Sequence, residues 1–516
     1  MILAAEYLAA AWTAAAIYLV YCLLGHSTRR LPLPPGPPGD PIIGHLRLLR
    51  REDEPEKVYH KWTKKYGDVI RVTTLGRSTI ILGSQQAASE LLEKRSGIYS
   101  DRPNTPVYDI MGWSVNLAFT KYTSTRFRKL KRMFQQTLSQ RACVQFRQIQ
   151  IENAHIFVND LMENKGDYGY LVGRYATSVS MRIAYGHQIR SDDDEYIQVG
   201  TEGANSFLVG GTPGATVIDL FPILKHFPNW FPGTYYARAA RTWKTAVDRM
   251  HNYPYDVVRE QMAQGIAKPC ILANELQRRG EQTLSGEDVS VLKGVAGAVH
   301  AGGTETTSAS LALFAMAMIL YPECQKRGQE EIDRIVGRDR LPTFEDKESL
   351  PYVSCIVEEI LRWYPSLPSG VAHRSSEDDI YRGMFIPKGS VVIANLRGIS
   401  LDETVYRNPT EFNPSRFLPK SAGGNGEPVF SAAFGFGRRI CPGKHLASGS
   451  VWIAVATMLS TLYIMKAKDE QGNEITPLME FDHGLVSRIK DFPCNVTVRS
   501  TTARKLVFNA VENIDG

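Results

Sequence analysis

One cysteine lies in a glycine-rich segment that could hold a metal ion. The segment reads Phe434-Gly-Phe-Gly-Arg-Arg-Ile-Cys-Pro-Gly443, and its glycines permit backbone turns that are closed to other residues. Successive amides in such a turn can point at one anion, which would be Cys441 as a thiolate. Arg438 and Arg439 add positive charge beside it. A cysteine taken alone is more often a buried, inert thiol, but this spacing favours a metal-bound thiolate.

A second segment places an acid beside an alcohol. Ser285-Gly-Glu-Asp288 resembles an N-terminal capping box, and an apolar helical pattern runs from it to Tyr321, next to Pro322. A helix of this length reaches about 54 Å. Its middle, Gly302-Gly-Thr-Glu-Thr-Thr307, forms helix poorly, because each glycine costs about 1 kcal/mol relative to alanine. We therefore expect a bound planar group and a local bulge there, with a tight helix crossing as the alternative.

A third set of residues combines one acid with two arginines. In Glu359-Ile-Leu-Arg362 the charged residues are three positions apart, so they share one face of a helix. Asn413-Pro-Ser-Arg-Phe417 supplies a further cation, Arg416. A single pair at this spacing is usually an exposed ion pair of little consequence.

These segments together resemble the cytochromes P-450, the haem-thiolate monooxygenases. The cysteine loop fits the family pattern Phe-x-x-Gly-x-Arg-x-Cys-x-Gly at Phe434, Gly437, Arg439, Cys441 and Gly443. Glu359 and Arg362 match its Glu-x-x-Arg, and Asn413-Pro-Ser-Arg-Phe417 resembles the family segment whose arginine joins that pair. The resemblance therefore implies that Glu359, Arg362 and Arg416 form a buried network that shapes the haem-binding side. The resemblance implies a mainly α fold with small β-sheets, haem b as cofactor and Cys441 as the iron ligand. It also implies that Glu305 and Thr306 are the acid and alcohol that relay protons during oxygen activation.

The haem propionates need cationic partners. The resemblance nominates Arg439 and His373, with Arg102 as a weaker candidate. The family usually has Trp-x-x-x-Arg where this chain has Phe127 and Lys131. Phenylalanine lacks the indole donor and lysine lacks the planar fork, so Lys131 could bind a propionate only as a point charge. At Arg397, where many relatives carry tryptophan, the effect of the change is open.

The N-terminal residues predict a membrane anchor. Residues 2–24 form a nearly unbroken apolar run, about 34 Å long as a helix, in which only Glu6 is charged. Arg29 and Arg30 follow, which favours a cytosolic location for that flank. A cleaved signal peptide is the alternative, but its charge usually precedes its apolar core. We expect a single-pass anchor in the endoplasmic reticulum, a stiff proline-rich linker over 25–40, and one haem domain over 41–516.

Periodicity gives a coarse outline of that domain. Two β-branched runs, 69–74 and 78–82, predict a hairpin. Further strands are expected near 381–386 and 391–394. Helical patterns cover 85–94, 126–138, 142–162, 238–262, 286–321 and 353–364.

Composition restricts the partners. The chain has 516 residues, a net charge of +6 and no block of like charges, so no nucleic-acid partner is expected. Its seven cysteines include no zinc-type pair and indicate a reducing compartment. The haem domain uses all of the chain after the anchor, so electrons would come from a separate NADPH-dependent reductase. A basic docking face for it could be formed by Arg128, Lys129, Lys131, Arg132, Arg438 and Lys444.

The substrate is predicted only as a class. Pocket segments placed by the resemblance are 103–119, 203–213, 367–371 and the region near Leu485, and they include Val107, Ile110, Trp113, Leu117 and Phe207. An apolar lining favours a lipophilic molecule, either a secondary metabolite or a xenobiotic as in fungal members, although these residues could equally be ordinary core. Two other functions remain open: an oxygen-independent haem isomerase or dehydratase, and a haem-binding sensor. Neither needs the Glu305 and Thr306 pair.

Overall fold

Helices dominate the protein. The computed structural model describes Thr13 and residues 31–49, 54–210, 216–280, 283–482 and 484–515, so the predicted anchor lies outside the described residues except for Thr13. The α-helices, numbered α1 to α19, are Leu46–Leu49, Pro55–Tyr66, Gln85–Ala88, Ser96–Tyr99, Pro106–Met111, Thr125–Thr137, Gln140–Cys143, Arg147–Met162, Tyr168–Tyr185, Glu195–Gly210, Val217–Leu220, Tyr235–Ala263, Ile271–Arg279, Gly286–Leu320, Pro322–Ile335, Pro351–Trp363, Leu396–Ser400, Lys444–Thr461 and Thr501–Asp515.

The strands are short and form four small sheets. Strands β1 to β11 are Val69–Thr74, Arg77–Leu82, His373–Arg374, Asp379–Tyr381, Met384–Ile386, Val391–Ala394, Leu462–Lys468, Glu474–Ile475, Phe481–Asp482, Arg488–Ile489 and Cys494–Val498. The largest sheet has the order β1-β2-β6-β3, in which β2 and β6 are parallel. The remaining sheets are β4-β5, β9-β10 and β11-β7-β8. The predicted mainly α domain with small β-sheets and the predicted hairpin are confirmed.

Helix α14 is the centre of the main core. It begins at the predicted capping box, where the Ser285 hydroxyl accepts from the Asp288 amide and the Asp288 carboxylate accepts from the Ser285 amide. Its apolar side chains pack with those of α9 and α18 in one buried cluster. Among the residues that the structure describes, α14 is the helix long and apolar enough to cross a membrane, but 61% of its most apolar stretch is buried inside the protein.

The predicted local bulge in α14 is wrong. The helix continues without interruption through Gly302 and Gly303 to Leu320. The hydroxyls turn back onto the helix: Thr306 Oγ1 donates to the Gly302 carbonyl at 2.7 Å and Ser310 Oγ to the Thr306 carbonyl at 2.8 Å. These bonds satisfy the hydroxyls without breaking the helical ladder.

Two other helical predictions differ from the structure in detail. The pattern over 142–162 predicts one helix, but α7 and α8 are separate and a short turn, Val144–Phe146, joins them. The pattern over 85–94 contains α3 and then a wider helical turn, Ser89–Lys94, with one extra residue in each hydrogen-bonded ring. That turn contacts the cysteine loop, so its geometry bears on the site.

The proline-rich segment lies against the domain. The carbonyl of Pro35 accepts from the Arg71 amide at 2.8 Å, and the carbonyl of Pro32 accepts from the Phe385 amide at 2.8 Å. A ring nitrogen of His45 hydrogen-bonds to the Pro37 carbonyl at 2.9 Å. A side-chain carbon at Gly36 would stand 2.2 Å from the Arg71 carbonyl oxygen, so only glycine fits there. The chain is therefore held at the sheet from Pro32 onward.

Candidate active site

The cysteine loop ends just before a core helix. The Cys441 amide donates to the Phe434 carbonyl at 2.8 Å, which closes the loop, and α18 begins three residues after the cysteine. Phe434 thus contributes its backbone to the closure and leaves its ring partly exposed. The loop presents the Cys441 thiol from the N-terminal end of α18, where helix amides favour negative charge.

Gly437 explains why the loop needs glycine. Its φ is +56°, and a side-chain carbon there would stand 2.1 Å from the Leu92 carbonyl oxygen. Leu92 belongs to the wide helical turn after α3. The loop backbone therefore packs directly on that turn, and any larger residue would push the cysteine out of place.

The thiol is in an environment that requires a cation. Burial raises the pKa of Cys441, and a hydrogen bond from the Gly443 amide together with the charge of Lys444 opposes the shift. A thiolate at neutral pH would therefore need a metal ion beside it. Among the described residues, no three histidine, cysteine, aspartate or glutamate side chains are grouped to hold a metal ion. A haem iron would need only one ligand from the protein, because the porphyrin supplies most of its ligands.

Arg439 points its guanidinium into the protein. The guanidinium donates to three backbone carbonyls, those of Ser100, Leu117 and Thr120, at 2.7, 2.9 and 2.7 Å. Burial lowers the pKa of Arg439 to about 10. The ring of Phe127 lies 4.2 Å from its guanidinium carbon. Phe127 thus stacks on Arg439 and supports a cation without donating a hydrogen bond itself.

Arg102 is a second buried guanidinium held in the same way. It donates to the carbonyls of Ala118, Val371 and Ala372 at 2.8, 2.8 and 2.7 Å. Burial, and then the nearby charge of Arg439, lower the pKa of Arg102 well below its usual value. The guanidinium hydrogen bonds of Arg102 and Arg439 described above go to neutral carbonyls, so each group retains much of its positive charge for another partner.

His373 and Lys131 complete this group, which we call the cation cluster: Arg102, Lys131, His373 and Arg439. His373 bonds the Tyr99 carbonyl at 2.7 Å, and burial and then Arg102 lower its pKa. Lys131 donates to the Arg438 carbonyl at 2.8 Å, and burial and then Arg439 lower its pKa. All four groups are thus buried or partly buried, and burial makes all four less basic than usual. A neighbouring arginine adds to this effect for Arg102, Lys131 and His373.

The charges of the cation cluster suit the two propionate carboxylates of a haem. Burial destabilises the positive charges of Arg102, Arg439 and Lys131 unless an anion offsets them, and the lowered pKa of His373 favours its neutral form, which can still donate a hydrogen bond. Two propionates would supply that offset at hydrogen-bonding geometry. The same haem would present its iron to Cys441. The sequence favoured Lys131 over Arg102 as a propionate partner. In the structure Arg102 is buried more deeply than Lys131, and its pKa is lowered further from its usual value.

The predicted buried network is confirmed. Glu359 accepts from Arg362 Nε and Nη2 at 2.7 and 2.8 Å, and from Arg416 Nε at 2.9 Å. All three side chains are 0% exposed. Arg362 also donates to the carbonyls of Ser400 and Pro409, both at 2.8 Å. The network therefore joins α16 to the irregular segment that leads to the cysteine loop.

Helix α14 brings the acid and the alcohol to one open surface. A side-chain carbon at Gly302 would meet no atom within 4 Å, although the helix is otherwise a core element. Thr306 lies one turn further on and is hydrogen-bonded to the Gly302 carbonyl. Glu305 forms an ion pair with Arg488 of β10. Nothing in the sequence signalled this partner, because Arg488 belongs to no motif and its strand has two residues.

An aromatic cluster lies beside this surface. The rings of Trp113 and Phe207 are 4.3 Å apart, and the Trp113 indole donates to the Ser206 hydroxyl at 2.9 Å. Ala301 of α14 and Leu485 of the β9–β10 hairpin belong to the same apolar cluster. Other members include Val107, Tyr108, Ile110 and Phe119. Leu117, a predicted pocket residue, packs in the main core instead, and residues 211–213 of one predicted segment lie outside the described part.

Arg397 lies away from the cation cluster. It donates to the Trp363 carbonyl and lies 4.7 Å from the ring of Tyr364. Burial lowers the pKa of Arg397 to about 10. Nothing in these contacts explains why arginine stands at this position.

Comparison with known proteins assigns the family. The Cytochrome P-450 family model matches residues 34–492. The chain is 36% identical to cytochrome P-450 monooxygenase claR of Ampulloclitocybe clavipes, over 95% of this chain and 91% of that protein. It is 36% identical to cytochrome P-450 monooxygenase 98 of Postia placenta, over 95% and 94%. It is 34% identical to cytochrome P-450 monooxygenase ple1 of Rhodocybe pseudopiperita, over 96% and 94%.

Proposed function

The chain belongs to the cytochrome P-450 family and is a monooxygenase, and on that premise we propose what it oxidises and how. It inserts one oxygen atom from O₂ into a lipophilic organic molecule, a secondary metabolite or a xenobiotic. The observation that supports this substrate class is the aromatic cluster around Trp113 and Phe207, which adjoins the open surface of α14. An apolar wall of this kind binds apolar ligands.

Each site residue has one role in this proposal. Bound haem b supplies the redox-active iron at which oxygen is reduced. Cys441 would bind the iron, while Arg439, Arg102, His373 and Lys131 would hold the propionates. Thr306 and Glu305 would supply protons from α14.

The chemistry of the relay follows from the Thr306 hydrogen bond. Its hydroxyl donates to the Gly302 carbonyl at 2.7 Å, and its oxygen can still accept from water. Glu305 is a carboxylate one residue away that can take a proton from solvent and return to its ionised form after passing it on. An apolar substrate that fills the pocket would exclude bulk water, so that protons would enter through this pair.

Electrons come from an NADPH-dependent reductase in this proposal. Arg128, Arg132 and Arg438 are exposed on the side of the protein that carries the cysteine loop. Lys129 contributes less, because its amine is paired with Glu287 at 2.8 Å. The exposed arginines suit an acidic partner, so salt should weaken the association.

We place the protein at a membrane, in the endoplasmic reticulum. Exposed apolar side chains are concentrated in the segment around α11 and the start of α12, where Ile223 is 65% and Trp230 80% exposed. Ile42, which is 76% exposed, lies in the loop before α1. Both segments contact the β1–β2 hairpin: Arg77 donates to the Asp219 carbonyl at 2.6 Å, and the Leu75 amide to the Ile43 carbonyl at 3.4 Å. The apolar residues therefore lie near the β1–β2 hairpin, which the proline-rich segment also contacts, and they suit a lipid surface that a predicted anchor would bring close.

Trp230 provides a test of this membrane placement. In vesicles that contain brominated lipids, we expect full-length protein to show quenched tryptophan fluorescence, and Trp230→Phe to lose a clear share of that quenching. The matched control is Trp452→Phe, because Trp452 is buried in the core, and the emission intensity that it loses to the brominated lipid should equal that lost by the wild type. Equal lipid quenching of the wild type and Trp230→Phe would refute the placement of this segment.

Reductase-driven turnover tests the proposed activity. Membranes with this protein and a reductase should consume NADPH and O₂ and oxidise lipophilic compounds from a broad panel. Thr306→Ala should keep its haem but yield at least roughly ten-fold less product per NADPH, with the difference appearing as peroxide, because a positioned proton donor typically contributes about 10²-fold or more. Thr304→Ala is the matched control, because that hydroxyl contacts Ser180 of α9 at 3.1 Å.

Two rival functions predict different outcomes of the same assay. An oxygen-independent isomerase or dehydratase would turn over without NADPH and O₂. A sensor would reduce its iron normally and form no product with any compound. Unchanged coupling in Thr306→Ala would leave the monooxygenase assignment intact but refute the relay.

A further inference from the structure

The ion pair between Glu305 and Arg488 joins two elements that are far apart in the chain. Glu305 lies on α14 beside Thr306, and its side chain is 14% exposed, whereas that of Arg488 is 52% exposed. Arg488 is on β10, whose main-chain partner in the hairpin is β9. The pair therefore places a cation on the carboxylate to which the proposed function gives a proton-relay role.

The backbone around Arg488 is held in place. The Ser487 amide donates to the Ser366 carbonyl at 2.8 Å, which ties the hairpin to the segment after α16. Within the hairpin, the Lys490 amide donates to the Glu480 carbonyl at 2.9 Å. The Cα of Arg488 pairs with that of Asp482 across the two strands, yet the guanidinium pairs with Glu305. A fixed backbone thus directs this guanidinium to α14, which suits a positioning role.

The same hairpin also reaches the aromatic cluster. Leu485, three residues before Arg488, packs with the cluster that contains Trp113 and Phe119. The β9–β10 hairpin therefore contacts both the aromatic cluster, where we propose that substrate binds, and Glu305. A substrate bound against the aromatic cluster would therefore contact the hairpin that carries Arg488.

We propose that Arg488 is a positioning residue for Glu305. Its guanidinium holds the carboxylate on the Thr306 side of α14, so that Glu305 delivers protons from one fixed orientation instead of rotating among several. This inference rests on the proposed function, because it assigns Arg488 an effect only through the relay. The alternative is that the ion pair is a structural tie between the hairpin and α14.

A double-mutant cycle separates these two roles. Coupling, measured as product per NADPH, would be compared among wild type, Arg488→Gln, Glu305→Gln and the double variant. We expect Arg488→Gln to lower coupling several-fold, and the double variant to be no worse than Glu305→Gln, because the arginine then has nothing to position. Arg488→Lys should recover part of the loss, since lysine keeps the charge but not the planar fork. Lys490→Gln, on the same hairpin, is the matched control and should couple normally.

A measurement without turnover tests whether the pair exists. The unfolding temperatures of the same four proteins should be non-additive if Glu305 and Arg488 interact, and additive if they do not. Additive temperatures, wild-type coupling in Arg488→Gln, or losses of coupling that add in the double variant would each overturn the inference. If wild-type protein with reductase forms no product from any compound, the proposed function fails instead, and the unfolding cycle still decides whether the ion pair forms.

Discussion

Replacing Glu359 with glutamine is expected to produce the largest loss of stability of any single change outside the cysteine loop. The substitution keeps the shape of the side chain but removes the negative charge between two fully buried guanidiniums. Arg362 would then keep only carbonyl partners, while Arg416 would still have Glu427 at 2.6 Å. Breaking a buried ion pair from one side costs about 3–5 kcal/mol. We expect a loss of this size in the free energy of unfolding.

The neighbouring residue supplies a matched control. Glu358 is on the same helix, and burial raises its pKa. Replacing its carboxylate by a neutral amide should therefore cost little free energy of unfolding. Glu358→Gln should therefore change the free energy of unfolding by less than about 1 kcal/mol. Denaturant unfolding followed by circular dichroism would measure both variants, with haem content determined alongside. Similar stabilities for Glu359→Gln and the wild type would contradict the account of this network.

The sequence predicted the parts of the site that depend on local pattern. The glycines before Cys441 predicted a tight loop, and the structure gives Gly437 a positive φ and a close contact with Leu92. The spacing of Glu359 and Arg362 predicted a shared helix face. The capping residue Ser285 predicted the start of α14. In each case the residues that carry the pattern lie within a few positions of the loop, helix face or helix start that they predict.

The parts that the sequence did not predict depend on contacts between distant segments. The wrong bulge in α14 follows from hydroxyls such as Thr306, whose bonds to the preceding turn are compatible with a regular helix. Phe127 looked like a lost propionate contact, whereas its ring supports Arg439. Arg102 gains its importance from burial beside Arg439, which no local pattern reveals. The same is true of Arg488.

The second large effect is expected at Cys441. Cys441→Ala removes the proposed iron ligand, so we expect loss of thiolate ligation and of turnover, with haem bound weakly through the cation cluster. Cys494→Ala is the matched control. Cys494 lies on β11 at the edge of the main core, and burial raises its pKa to about 11, so it should remain a thiol. This variant should keep both ligation and activity.

The spectrum of the reduced carbon monoxide complex tests this central claim directly and needs no substrate. Thiolate ligation shifts the main absorption band of this complex to longer wavelength than histidine ligation does. We predict the shifted band for the wild type and for Cys494→Ala, and its absence from Cys441→Ala at equal haem content. Retention of the shifted band in Cys441→Ala would contradict the assignment of Cys441 as the iron ligand.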